Sequence, residues 1–437
     1  MSGQKIGERA LAEQSLAEQS LASIKRAGFE KAACRVSADE LHELQAETGA
    51  INLFRTNFET DIRLIGIDEG RRASLSINKT DEAALGAAVN DLKTMAAGAN
   101  PDPAYDIAEG QPREDFAAGI ESPDYDAMYD RVVEFQKYAH SAYPQLNIRS
   151  AAITFSKRRT CYLNSNEVAF TSRRGQYQVS VTFSSKEGAD TSSMMYTGYS
   201  SYDLETPVQD ATNVDTLLRQ STEQVRTRHI PGKFVGDLII APNCLMSFLG
   251  FLTARIGDAM ISGTSIYEGK LGEMVASPPL SVHAMPVSDD IASGYWVTGD
   301  GYKAENSTIV EKGRLMTYLL SLYGANRMGL ARAVNAGGCY VVDPGEQDYK
   351  SMIENVSEGI LITRFSGGRP NDRGDFSGVA KNSYYIKDGE LAYPIKETTI
   401  SGNLALLLQS IEGISRERLN FGSSILPWVR ATGITVS

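Results

Sequence analysis

The sequence predicts an α+β protein in two parts. Residues 1–230 read as an N-terminal α+β domain with antiparallel sheets, and residues 231–437 as a C-terminal, mainly antiparallel β domain, barrel-like and with short helices. Three observations carry this. Strand-like runs come in blocks set apart by helical stretches instead of alternating with them one for one, the order of α+β rather than α/β folds. Two-residue turn signals such as Lys312-Gly313 and Asp388-Gly389 sit between apolar runs and mark hairpins. Pro231-Gly232 separates a helical stretch from a new set of strands and sets the boundary.

Ile6, Ala10, Ala17, Leu21 and Ile24 recur at helical spacing, so residues 6–27 read as a helix. Within it Leu-Ala-Glu-Gln-Ser occurs twice and restarts at Leu21. A five-residue period walks around a helix rather than along a seam, so no coiled coil is implied. Residues 63–67 and 73–77 flank Asp68-Glu69-Gly70 as a hairpin. Thr80, Asp81 and Glu82 start a helix towards Ala97, with its acids in the first turn. Residues 98–123, rich in Pro, Asp, Gly and Ala, read as a connector. Residues 125–140 return to helix, with Tyr129, Val132, Val133, Phe135 and Tyr138 as core candidates. Four short strands follow at 149–156, 160–163, 168–171 and 176–183, with turns at 164–166 and Arg174-Gly175. Residues 203–228 read as a helix buried through Val214, Leu217, Leu218 and Val225.

Past the boundary, residues 234–240 form a strand and Pro242-Asn243 starts a helix towards Met260. Residues 309–310 and 315–320 pair across Lys312-Gly313, and Gly337-Gly338 opens a loop. Ile360, Leu361, Ile362 and Thr363 make a buried strand that ends in a loop crowded with Gly367, Gly368, Pro370, Asn371, Asp372 and Gly374. Residues 383–386 and 391–395 pair across Asp388-Gly389. Pro394 has no amide to donate, which places the second strand at an edge. Leu404 begins a last helix after Gly402-Asn403.

The chain of 437 residues is 42% hydrophobic and 22% charged, ordinary values for a soluble globular protein with a sizeable core. A net charge of −11 without a Lys/Arg-rich run argues against direct binding to nucleic acid or an anionic membrane. Cys34, Cys161, Cys244 and Cys339 form no CxxC pair, which suits reduced thiols. No signal peptide and no apolar run near the ~18 residues of a membrane helix is visible. A cytoplasmic location is the expectation.

Residues 359–404 also carry a resemblance. The strand, the Gly367-Gly368 loop, Gly374-Asp375-Phe376-Ser377-Gly378, Asp388-Gly389-Glu390, Ala392-Tyr393-Pro394 and Thr399-Ile400-Ser401-Gly402-Asn403-Leu404 resemble, in order and spacing, the TldD/PmbA proteins. These are also called TldD/TldE or modulators of DNA gyrase. In TldD-type members a helix ahead of Gly-Thr-Ser carries HExxxH, and a cysteine near the C-terminus completes a zinc site that activates water. Counted back from Gly263-Thr264-Ser265, the histidine positions hold Phe248 and Thr253 and the glutamate position Leu249; the cysteine position is Phe421. His42, His140, His229 and His283 have no second ligand at metal spacing.

The resemblance therefore implies the PmbA/TldE-type subunit. It has no zinc or other cofactor of its own and is not catalytic alone. Its expected partner is a TldD-type HExxxH subunit that holds the zinc, in a heterodimer acting on peptides, with a homodimer left open. The candidate substrate contacts are Arg364, Gly367, Gly368, Arg369, Gly374, Asp375, Phe376 and Ser377. Glycine amides suit strand addition by an extended peptide, and the two guanidinium groups suit a carboxylate. Asp375 suits capping of the loop. The edge at Tyr393-Pro394 and the apolar run Ile425-Leu426-Pro427-Trp428-Val429 predict a partner interface.

Two other readings stay open: an autonomous hydrolase with a site that the residues do not reveal, and an acidic regulator of a DNA-acting enzyme such as gyrase. For the hydrolase there is no GxSxG elbow and no phosphate loop. Cys244 lies beside a helix start, though a small buried apolar residue is the favoured reading. Asp375 and Glu397 make an acid/base pair only if the fold brings them together.

Overall fold

The computed structural model describes residues 2–437, with side chains described from residue 12 onward. Its first half opens on α1 (Ser2–Arg26) and continues through β1 (Lys31–Glu47), β2 (Ala50–Asp68), β3 (Arg71–Ile77), α2 (Glu82–Gly98), β4 (Glu114–Gly119) and α3 (Tyr125–Ala142). It ends with β5 (Leu146–Asn164), β6 (Ala169–Glu187), β7 (Asp190–Thr191), β8 (Met195–Ser201) and α4 (Val214–Glu223). The strands form one sheet in the order β3-β2-β1-β5-β6-β4, with β7 and β8 also on β6. Only β4 runs parallel to its neighbour.

Asp81 and Asp124 start α2 and α3 as N-caps, their carboxylates accepting from the amides of Ala84 and Ala127. Cys34, Val36, Leu44 and Ala46 of β1 point to the face that α1, α2 and α3 cover. Ala33 and Arg35 point the other way, towards the second half. That alternation sets helices on one face and a cleft on the other.

Several expectations need correction. The four short strands at 149–183 are two long ones, β5 and β6, and Arg174-Gly175 is no turn. A Cβ at Gly175 would lie 1.9 Å from the Ile120 carbonyl oxygen, so the glycine admits a neighbouring backbone within a strand. The connector at 98–123 contains β4. On α3 the buried face is Met128, Val132, Phe135 and Ala139, whereas Tyr129 and Val133 are exposed. The helix expected over 203–228 is regular only as α4. Ala17 and Ile24 of α1 are buried, and the side chains of Ile6 and Ala10 lie outside those described.

The second half comprises β9 (Phe234–Ile240), α5 (Pro242–Arg255), β10 (Val282–Ala284), β11 (Ser307–Glu311), β12 (Arg314–Leu315), α6 (Leu322–Met328), β13 (Tyr340–Val342), α7 (Tyr349–Glu354) and β14 (Glu358–Ile362). β15 (Arg364–Gly367), β16 (Asp375–Lys381), β17 (Tyr384–Lys387), β18 (Glu390–Pro394), β19 (Thr398–Asn403), α8 (Leu404–Gln409), β20 (Ile411–Asn420) and β21 (Ile425–Val436) follow. Thirteen strands form one sheet, in which β21 adjoins β9, β13, β19 and β20. Most pairs are antiparallel, but β13–β21 and β14–β9 are parallel, so the sheet is mixed. The β17–β18 hairpin turns through Asp388 and Gly389 at φ 49° and 83°, the two left-handed residues the dipeptide predicts.

The features expected to seek a partner also make contacts within the chain, although residues 390–392 of β18 stay exposed. β18 does end the sheet, yet the Arg228 amide donates to the Pro394 carbonyl and the Lys396 amide to that of Arg228. The segment joining the halves thus lies along that edge. Leu426 and Val429 are buried within β21, and Trp428 stacks on Tyr349 with centroids 4.9 Å apart. No described helix is long and apolar enough to cross a membrane.

Candidate functional site

Helix α5 lies beneath the β15–β16 hairpin. Pro242 opens it, and Cys244, Leu245, Phe248, Leu249, Phe251 and Leu252 are buried, so it is a core helix. The Phe248 ring lies 5.2 Å from that of Phe365 and 6.0 Å from that of Phe376. Phe376 is therefore a core residue and not a ligand contact. Gly367 and Gly378 face each other across the hairpin, and a Cβ on either would come within 2.5 Å of the Phe365 ring. These glycines make room for an aromatic side chain.

The hairpin tip is closed on itself. The Gly374 amide donates to the Asn371 carbonyl, and Asp375 accepts from Asn403 Nδ2 at 2.8 Å and Asn371 Nδ2 at 2.9 Å. Those two side-chain bonds, Asn403 first, hold the Asp375 carboxyl below its ordinary range. Asp372 pairs with Arg255 of α5. Arg364 reaches away from the tip, donating to the Met194 carbonyl and lying 5.2 Å over the Tyr196 ring. Of the expected contacts, Gly368, Arg369 and Ser377 remain exposed; Ser377 is paired through the strand ladder with Ser401, and Arg369 has no ion-pair or hydrogen-bond partner among the described residues.

The positions matched to the family's zinc ligands do not fit the metal. Phe248 and Leu249 are packed in the core, and the Thr253 hydroxyl donates to the Gly250 carbonyl. Phe421 is buried where the halves meet, its carbonyl accepting from the Ser200 amide. None of the four offers an imidazole, thiolate or carboxylate. No group of three or more His, Cys, Asp or Glu among the described residues is arranged to hold a metal ion.

The other nucleophile and acid/base candidates are likewise tied down. Burial pushes the Cys34, Cys161 and Cys244 thiols up to about 12 and that of Cys339 to about 11, so none is a thiolate at neutral pH. Glu397 bonds Lys381 and Ser193, partners different from those of Asp375. A network the sequence does not announce surrounds His42. Its Nε2 lies 2.9 Å from Glu40 Oε1, while Nδ1 is 2.9 Å from the Tyr125 hydroxyl and 3.1 Å from that of Thr56. Lys157 pairs with the other Glu40 oxygen at 3.1 Å. These residues come from four separate elements, and only the i, i+2 spacing of Glu40 and His42 along one strand hints at the contact.

Between the halves lies a polar cleft of 320 Å³. Ser156 opposes Gln176, Arg158 opposes Arg174, and Thr160 opposes Ser172, so a row of polar side chains shares one face of β5 and β6. Residues 293–297 form the opposite wall. Arg174 donates to the Ala292 carbonyl at 2.8 Å and stacks 4.1 Å over Trp296. The sequence signal was alternation of polar residues at 156, 158, 160 and at 172, 174, 176, 178, which reading these strands as short pieces obscured.

A profile for the PmbA/TldA metallopeptidase C-terminal domain matches residues 232–437. Over 393 residues, 83% of this chain and 83% of the relative, the sequence is 23% identical to the metalloprotease PmbA homolog of Haemophilus influenzae. A Methanothermobacter thermautotrophicus metalloprotease is 31% identical over 182 residues, 39% of this chain and 40% of that relative; the match spans about two fifths of that protein. TldE from Thermococcus kodakarensis superposes with a TM-score of 0.81 at 18% identity, covering 97% of this chain and 100% of that one. A protein described as a modulator of DNA gyrase from Bacteroides thetaiotaomicron does so with 0.85 at 19% identity, covering 97% and 98%. At such identities the structural likeness speaks for the fold.

Proposed function

This chain belongs to the TldD/PmbA family, and from that premise we propose that it is the PmbA/TldE-like, non-zinc subunit of a metalloprotease complex that processes peptides. It assembles in the cytoplasm with a TldD-type subunit, which supplies HExxxH and the zinc. The observation that supports this reading is the fate of α5: where the family's ligands are expected, Phe248 and Leu249 fill the core. The chain's own contribution to substrate is the polar cleft between the halves and the exposed hairpin tip with Gly368, Arg369 and Ser377.

Reconstitution tests it. The purified chain alone is expected to carry no stoichiometric zinc and to leave peptides intact. Mixed with a TldD-type partner, it is expected to sediment as a heterodimer with chelator-sensitive peptidase activity above that of the partner alone. Zinc together with chelator-sensitive cleavage in the isolated chain would overturn the assignment, as would failure of any TldD-type partner to associate.

A further inference from the structure

A second cavity, of 640 Å³, opens where β2 and β3 face the residues that begin α6. Register explains its charged wall. Arg35 of β1 lies directly opposite Arg63 of β2, and Arg72 of β3 opposite Ile67, so the three guanidinium groups share one face of the sheet. Like charges set directly across a strand pair are unfavourable. The chain has 54 acidic residues against 43 basic ones, so counter-charges were plentiful.

Arg35 is used internally: it donates to the Thr298 carbonyl at 2.6 Å and lies over the Tyr162 ring. Arg63 and Arg72 make no ion pair or hydrogen bond among the described residues, although both line the cavity. Arg332, on the facing wall, stacks 3.7 Å over Tyr302 and likewise has no carboxylate partner among the described residues. The acids of the cavity are engaged elsewhere. Asp106 pairs with Lys31 at 2.7 Å, Asp258 accepts from the Ser321 amide at 2.9 Å, and Asp300 accepts from the Leu322 amide at 2.8 Å. Burial, followed by repulsion from Arg63, lowers the pKa of Arg72, and Tyr105 offsets this only in part.

We infer that this cavity binds a small ligand bearing an oxyanion, a carboxylate or a phosphate, held by Arg63 and Arg72. The guanidinium fork matches both groups bidentately. The volume lies within the range that holds small ligands. Ile65, Ile107 and the stacked Tyr105–Tyr323 pair, 4.8 Å between centroids, offer an apolar surface for the rest of the molecule. A peptide's free C-terminal carboxylate is the favoured source; only that choice rests on the peptide-processing reading above.

Calorimetric titration of the full chain, without any partner, tests this with three probes: trialanine, trialanine amide and inorganic phosphate. Trialanine is expected to bind at least about tenfold more tightly than its amide, and the Arg63→Gln/Arg72→Gln variant to weaken trialanine by at least about tenfold. Binding of phosphate with the same sensitivity to the variant also supports the site and names phosphate as the source. The acid–amide comparison in the parent chain needs no variant, so it stands even if the substitutions unfold the sheet. Neither oxyanion binding, oxyanion binding unchanged in a folded double variant, or equal binding of trialanine and its amide without phosphate binding would each overturn the inference. Since the assay involves neither zinc nor cleavage, its failure is distinct from failure of the subunit assignment.

Discussion

Phe248 shows how much one side chain decides here. It is fully buried against Phe365 and Phe376, so Phe248→Ala should cost about 3–5 kcal/mol in urea unfolding, with an unchanged dependence on denaturant. A near-neutral result would mean that the aromatic cluster is not packed. Glu40 brings a pH dependence. Burial works to raise its pKa, but the hydrogen bonds from His42 and Lys157 outweigh it and hold the carboxyl below its usual range. A carboxylate depressed in the folded state adds stability above its unfolded pKa, about 4.3, and that stability is lost as pH falls through the folded value. Glu40→Gln should thus be less stable than the parent at pH 7, with the gap closing below about pH 4. A gap that ignores pH would remove charge from the explanation.

Among the elements, the β15–β16 hairpin separates structural glycines from accessible ones. Gly374 sits at φ 95°, and a Cβ there would lie 3.1 Å from the Phe251 ring, so Gly374→Val should destabilise the fold and says little about function. Gly368 has open space around it, and Gly368→Ala should leave the melting temperature unchanged. Arg369→Ala is the cleaner probe: it should preserve stability and assembly yet slow peptide turnover by the reconstituted complex. Hairpin β17–β18 was legible because Asp388-Gly389 names its own turn. The gap at Gly175 and the buried face of α3 were not, because a neighbouring carbonyl and the sheet beneath fix them, and both are distant in sequence. The same holds for the site. Residues 364–377 were found as a segment, but their alternation into core and surface depends on Phe365 lying over Gly367 and Gly378. The strand edge at Pro394 was foreseen, its cover was not; Arg228→Pro removes the covering donor and should speed amide exchange across residues 383–396.

The halves are joined by more than the segment that links them. Lys303 pairs with Glu114, Asn326 donates to the Ala104 carbonyl, and the Ser200 amide to the carbonyl of Phe421, so loops of the second half are pinned to the first half. Both cavities lie along this seam, which is why neither was visible from either half read separately. The position of β21 has a further consequence. Among the described strands this one follows all the others in chain order, yet β9, β13, β19 and β20 all lean on it. The strands of the first sheet are all made by residue 201, whereas the second sheet waits for residues 425–436, its unpaired edges meanwhile open to chaperones and proteases. A premature stop within this 12-residue strand should therefore be as damaging to the second half as one near its middle, with the truncated product lost to degradation while the first half is already folded.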